Sequence, residues 1–183
     1  MGAVLNYFSE LTRSMSMLAC DQRTAFVGQS VKYDGQVMHK SFAGVPMGQR
    51  IEMPVAEDFQ MGFCTGLSLA GKIPVCIYPR MDFLILAMNQ LVNHLDKIPK
   101  MSGFRPKVII RVAVGATKPL DPGPQHRQDH SAALALMLNT VDVIKLNDAS
   151  MIYPAYENAL KSDTSTVLVE YMSQYDYKQD LRA

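Results

Sequence analysis

The sequence predicts a single α/β domain built on a mostly parallel sheet with helices on both faces. Three observations carry this. Short β-branched runs alternate with stretches of helical periodicity about 10 to 15 residues long, the pattern of βαβ units. The chain has 183 residues, the length of one domain. Its composition, 48% hydrophobic and 19% charged, is that of a chain that buries a core.

The elements follow in order. Leu5, Phe8, Leu11, Met15 and Leu18 recur every three or four residues, the stripe of an amphipathic helix. Residues 24–31 form a short β-type run. Residues 32–50, with Gly35, Gly44, Pro46 and Gly48 and little periodicity, read as a long loop with one helical turn. Residues 50–70 pass from an extended stretch (Ile51, Met53, Val55) through Pro54 into a small-residue helix carrying Gly62, Gly66 and Ala70. A strand at 73–78, a helix at 83–95 and a strand at 107–114 (KVIIRVAV) come next. The Gly/Pro-rich segment 115–129 excludes both helix and central strand. Ser131 has the chemistry of an N-cap for an Ala/Leu helix to 138, and 141–146, 150–160 and 166–171 read as strand, helix, strand.

Composition narrows the function. With Lys+Arg 18 against Asp+Glu 17, the formal net charge of +1 gives no general attraction to nucleic acid or anionic lipid. No apolar run approaches the roughly 20 residues of a bilayer span, and the first residues lack the basic-then-apolar order of a secretory signal, so a cytoplasmic protein is expected. Cys20, Cys64 and Cys76 have no metal-type spacing and read as buried reduced thiols. The glycine signatures of nucleotide-binding loops, the serine nucleophile elbow and H-E-x-x-H are all missing from the sequence. His126 and His130 stand four apart, but the prolines around them disfavour a helix and no third metal ligand accompanies them.

The informative segment is Met53-Pro-Val-Ala-Glu57 with Gly62 and Gly66 beyond it. Glu57 stands where an extended segment turns into a helix. A carboxylate there is favoured by the helix dipole alone, an ordinary explanation that stays open.

The stretch from Phe26 to about Tyr175 resembles the pyrimidine-binding domain of thiamine-diphosphate enzymes. The likeness is strongest to the N-terminal half of the β subunit of the decarboxylating component of 2-oxo acid dehydrogenases, within the transketolase-like family. The family's G-E-D-V is echoed by Gly28-Gln-Ser-Val31, and its T-P-[IL]-[AS]-E-x4-G-x3-G by Met53 to Glu57 with Gly62 and Gly66. G-x-x-P-V is echoed by Gly71 to Val75, and D-Q-[IV]-x-N followed by M-S-G by Asn89 to Asn93 and Met101 to Gly103. P-x-V-x-R matches Pro106 to Arg111 loosely, and Q-H-S-Q corresponds to Gln125 to Gln128.

The resemblance implies that Glu57 hydrogen-bonds N1′ of the cofactor's aminopyrimidine and favours the imino tautomer, whose neighbouring nitrogen takes the thiazolium proton. It implies that Phe83 packs on the pyrimidine and that Val55 and Met81 line the same apolar slot; plain core packing explains these three equally well. It implies that His126 faces the substrate and handles protons or carboxylate charge, against the alternative of a surface histidine. Catalytic roles thus fall to Glu57 and His126, cofactor contacts to Val55, Glu57, Met81 and Phe83, and no metal ligands to this chain.

Departures from the family are Gln29 for an acid, Asn89 for Asp, and Arg127 for Ser. Arg127 would add a cation suited to a substrate carboxylate or phosphate. The G-D-G…N-N signature that holds magnesium and diphosphate is missing from the sequence. The expectation is therefore one pyrimidine-binding domain over 1–183 with no C-terminal transketolase domain. It would be a subunit of a split thiamine-diphosphate enzyme whose partner, an α-type G-D-G…N-N protein, holds Mg2+ and the diphosphate, in a hetero-oligomer such as α2β2. The reaction would be 2-oxo acid decarboxylation or acyl or ketol transfer, on an oxidoreductase or a transferase. A split transketolase-like subunit and a non-catalytic interaction subunit stand as alternatives.

Overall fold

The computed structural model describes residues 5–119 and 121–175. The two ends of the expected 1–183 domain, the first four residues read against a secretory signal, and residue 120 of the Gly/Pro loop lie outside the described residues.

The elements run α1 (Tyr7–Ala19), β1 (Thr24–Gly28), β2 (Arg50–Glu52), α2 (Glu57–Leu69), β3 (Ile73–Tyr78), α3 (Met81–Leu84), α4 (Ile98–Ser102), β4 (Ile109–Val114), α5 (Ser131–Met137), β5 (Val141–Lys145), α6 (Ala149–Lys161) and β6 (Ser165–Tyr171). The six strands form one sheet in the order β2-β1-β3-β4-β6-β5, and every pairing is parallel. The α/β fold with a parallel sheet covered on both sides is thus the observed one. Alternate strand residues feed two cores. Ile73, Val75, Ile77, Ile109 and Leu168 pack under α1 and α6, while Cys76, Tyr78, Ile110, Val112 and Val167 pack under α2, α3 and α5. Burial on both faces is why β3 and β4 read as unbroken apolar runs.

Local chemistry sets the boundaries. The Asn6 side chain accepts from the Ser9 N–H at 2.7 Å and starts α1. Leu5, assigned to that stripe, lies outside the helix and is exposed, while Tyr7 is buried and donates from its hydroxyl to the Leu146 carbonyl. Ser131 is not a cap but the first residue of α5. Asp129, two residues earlier, accepts from its N–H at 2.9 Å, because Asp reaches forward in an Asx turn and takes the place a capping serine would fill. Cys20 is exposed beyond the end of α1 instead of buried, whereas Cys64 and Cys76 lie in the core. The helix expected over 83–95 is three pieces: α3 running from Met81, a 3₁₀ turn (Ile85–Ala87) and a π-helical stretch (Asn89–Leu95). Its buried residues Leu84, Ala87, Leu91 and Leu95 keep helical spacing, so the periodicity survives while the hydrogen-bond register widens.

The long loop before β2 is held by charge. Arg50 is buried and donates to the carbonyls of Val31, Phe42 and Val45. Glu52 accepts the backbone N–H groups of Ser30, Val31 and Lys32 at 2.6–3.0 Å, and Ser30 turns through a positive φ of 57° to present them. The short edge strand β2 thereby fixes the chain on both sides of it.

A second polar cluster lies under α1 and α6. Arg111 on β4 and Glu170 on β6 are fully buried and paired at 3.0 and 3.2 Å. Ser41 accepts from Arg111, and the Tyr175 hydroxyl donates to Glu170 at 2.5 Å. Each charge has its partners, as burial demands.

Candidate active site

β1 sends the chain to the α1 side of the sheet and β3 sends it to the α2 side, so the carboxyl ends of these neighbours leave a gap between them. In open parallel sheets such a reversal point is where ligands sit. Here a crevice of about 470 Å³ opens at that end, lined by Gln29 after β1, Arg80 and Phe83 after β3, Pro122 and His126 after β4, and Met172 after β6. Gly28 ends β1 there. A Cβ on it would stand 2.6 Å from the Ile77 carbonyl oxygen, so only glycine lets the strands close at the floor.

Glu57 is the first residue of α2 and is buried, 6% exposed. Its backbone carbonyl accepts from the Tyr78 hydroxyl at 2.9 Å, and burial, followed by the neighbouring Cys76, pushes that phenol far above its ordinary pKa and keeps it a donor. One carboxylate oxygen, Oε1, accepts from the Gln29 amide at 3.3 Å; among the described residues no other group bonds the carboxylate. The neutral Gln29, where the resemblance has an acid, is therefore the link between crevice and carboxylate. A buried carboxylate with one long neutral hydrogen bond keeps a lone-pair site for a ligand nitrogen.

The structure brings Phe83 and His126 together, their rings edge to face with centroids 5.4 Å apart. His126 is half-buried and its Nδ1 is enclosed without a hydrogen-bond partner. The loop reaches this place because Gly115 carries no side chain: a Cβ there would collide with the His126 carbonyl oxygen. Val55 and Met81 are not brought together. Val55 is 80% exposed on the turn between β2 and α2, and Met81 is buried in the core beneath α3, its sulfur accepting from the His130 N–H at 2.9 Å. Arg127 points its charge elsewhere, pairing with Asp121 at 3.2 Å on the loop surface.

Arg80, which lines the crevice, and Gly115, which leaves room for the His126 loop, are positions that motif reading passes over. Arg80 was findable as a charged residue two positions past the end of a central parallel strand, where such sheets place their ligand groups. Among the described residues, no group of three or more His, Cys, Asp or Glu side chains is placed to hold a metal ion, and no helix is long and apolar enough to cross a membrane.

Comparison with known proteins places this geometry. The sequence matches no protein-family profile. It is similar to the pyruvate dehydrogenase E1 component subunit beta of Chaetosphaeridium globosum, 24% identical over 177 residues that cover 94% of this chain and 51% of that protein. It is also similar to the subunit of the same name from Gracilaria tenuistipitata var. liui, 26% identical over 136 residues that cover 72% of this chain and 40% of that protein. The chain thus spans about half the length of the curated relatives it matches, or less. Among solved structures, a split-gene transketolase described as an inactive beta4 tetramer superposes with a TM-score of 0.71 at 18% identity, over 93% of this chain and 52% of that one. The transketolase of Campylobacter jejuni superposes at 0.73 with 12% identity, over 92% and 26%. The fold is shared with the matched parts of these transketolases, and the sequence is similar to pyruvate dehydrogenase β subunits.

Proposed function

We propose that this chain is the pyrimidine-binding subunit of a split thiamine-diphosphate enzyme that acts on 2-oxo acids or transfers acyl or ketol units. The observation that carries the reading is Glu57: a buried carboxylate, bonded among the described residues by one neutral amide, beside the crevice at the carboxyl ends of the sheet. The residues present fit the pyrimidine end of thiamine diphosphate, which when bound supplies a nucleophilic thiazolium carbon. Glu57 holds a proton against the N1′ position and shares it, which Gln or Asp at the same place does not do equally well. Phe83, seated edge to face against His126, forms the apolar side of the cofactor site, whereas Met81 in the core and Val55 on its exposed turn do not line the crevice. His126 stands against Phe83 and serves the substrate, moving a proton or meeting a carboxylate.

Cofactor binding here needs a second chain. The partner is an α-type subunit that supplies the Mg2+ and diphosphate contacts, in an assembly such as α2β2. The outer face of α2 suits a partner: Phe59 and Phe63 stack with centroids 6.1 Å apart, Phe59 is 59% exposed, and a Cβ on Gly66 would meet nothing within 4 Å. A cytoplasmic location, and one pyrimidine-binding domain over the chain, belong to the same proposal. The likeness to transketolases favours ketol transfer as the second reading.

The test is reconstitution with a G-D-G…N-N partner and measurement of hydrogen exchange at the thiazolium carbon. Glu57→Gln is expected to slow exchange and turnover by about 10²- to 10⁴-fold. His126→Ala is expected to leave exchange near normal while turnover falls. Normal exchange and turnover in Glu57→Gln would make Glu57 a helix-terminus charge and the chain an interaction subunit.

A further inference from the structure

The crevice beside Glu57 carries a fixed cation that belongs to none of the motifs matched above. Arg80 lies two residues past β3, and its guanidinium is anchored on one side only: Nη1 donates to the Pro79 carbonyl at 3.0 Å and to the Met172 sulfur at 2.6 Å. Neither acceptor is an anion, and among the described residues no carboxylate pairs with it. Among the described residues no carboxylate lines the crevice; its other walls are Gln29, Ser30, Gln36, His126, proline and apolar side chains. Two of these walls hold unsatisfied polar atoms, Gln36 Oε1 and His126 Nδ1. The cation expected from the sequence at Arg127 is neutralised by Asp121 outside the crevice. The crevice is thus a concave site lined by a guanidinium without a carboxylate partner and by a half-buried histidine, with the nearby Glu57 carboxylate held behind Gln29, and a guanidinium in that state is a fork for an oxyanion.

We infer that Arg80 is the specificity-determining residue of this site and binds the oxyanion end, carboxylate or phosphate, of a small acid whose reacting carbonyl lies towards His126. This rests on the proposed function, and it assigns the group that recognises the anionic part of the substrate.

The experiment reads binding instead of turnover. The full chain, labelled at arginine side-chain nitrogens, is titrated with pyruvate, with inorganic phosphate and with methyl pyruvate, the neutral ester, while the Arg80 Nε–H resonance is followed by NMR. At least one of the two anions is expected to move the Arg80 signal saturably, and the ester to leave it in place. Arg80→Ala, followed at the His126 ring, is expected to weaken that anion's binding about tenfold or more, and Arg80→Lys to weaken it less. The stronger of pyruvate and phosphate identifies the source of the oxyanion. Equal binding of acid and ester, no saturable shift with either anion, or unchanged affinity in Arg80→Ala would overturn the assignment. The same titration on Glu57→Gln separates the two ideas, since anion binding there is expected to be unchanged. If anion binding holds while Glu57→Gln keeps normal thiazolium exchange, the cofactor reading fails and the anion site stands. If exchange collapses but Arg80→Ala binds anions normally, the reverse is true.

Discussion

Two buried glutamates, on opposite faces of the same sheet, differ in how fully the chain bonds their carboxylates. Glu170 is 0% exposed and is held by both arms of Arg111 and by the Tyr175 hydroxyl. Glu57 is 6% exposed and has one amide at 3.3 Å. Burial is nearly equal, and partners are not. A carboxylate held by three donors fixes strands in place, whereas one left open at a sheet's carboxyl end is available to a ligand.

The largest effect that sharpens this contrast is on stability. Glu170→Gln breaks the pair around a buried guanidinium and is expected to cost about 3–5 kcal/mol, read from urea midpoints at unchanged slope. The double variant Arg111→Met with Glu170→Leu is expected to recover most of that loss, because no charge is left behind. Glu57→Gln is expected to change stability by no more than about 1 kcal/mol. A cost equal to that of Glu170→Gln would make Glu57 a structural residue and end the contrast.

A third carboxylate gives an intermediate case. Asp96 is buried, which pushes its pKa up, but Lys97 Nζ and the N–H groups of Thr140 and Asn139 donate to it and hold it well below the usual carboxylate range. A depressed folded pKa means the stabilisation is complete above the unfolded value of about 3.9 and is lost as pH falls through the folded one. Acid titration of stability is expected to show this loss in the parent chain and to lack it in Asp96→Asn, which should itself cost about 2 kcal/mol at neutral pH. A parallel pH profile in the two proteins would show that Asp96 is not the group responsible.

The smallest expected effect concerns the face outside Glu57. Gly66→Leu meets no atom within the chain and replaces a poor helix former, so stability should rise by up to about 1 kcal/mol. Association with the partner should nevertheless be lost, by sedimentation. Unchanged assembly would place the partner elsewhere.

Much of this was legible in the sequence because it is periodic or local. The alternation of strand and helix located all six strands, and the step from Pro54 to Glu57 located the start of α2. What escaped depends on long-range geometry. Arg111 reads as one polar residue in a β-branched run, and nothing near it reveals Glu170, 59 positions later, as its partner. Arg127 reads as a site cation until Asp121 is seen beside it, and Arg80 reads as a strand-end charge until the crevice closes around it. Val55, Met81 and Phe83 share apolar character in sequence, yet one is exposed, one is core and one faces a histidine.

The contact at Gly115 has a consequence for engineering. The reach of His126 is governed by a residue that contributes no chemistry, eleven positions upstream, through the space its missing side chain leaves. A histidine loop moved into another scaffold would therefore have to carry its strand end with it. A graft that kept the loop but put alanine at 115 would retain each reactive group while displacing the loop from its seat against β4, a failure invisible to any comparison of active-site residues alone.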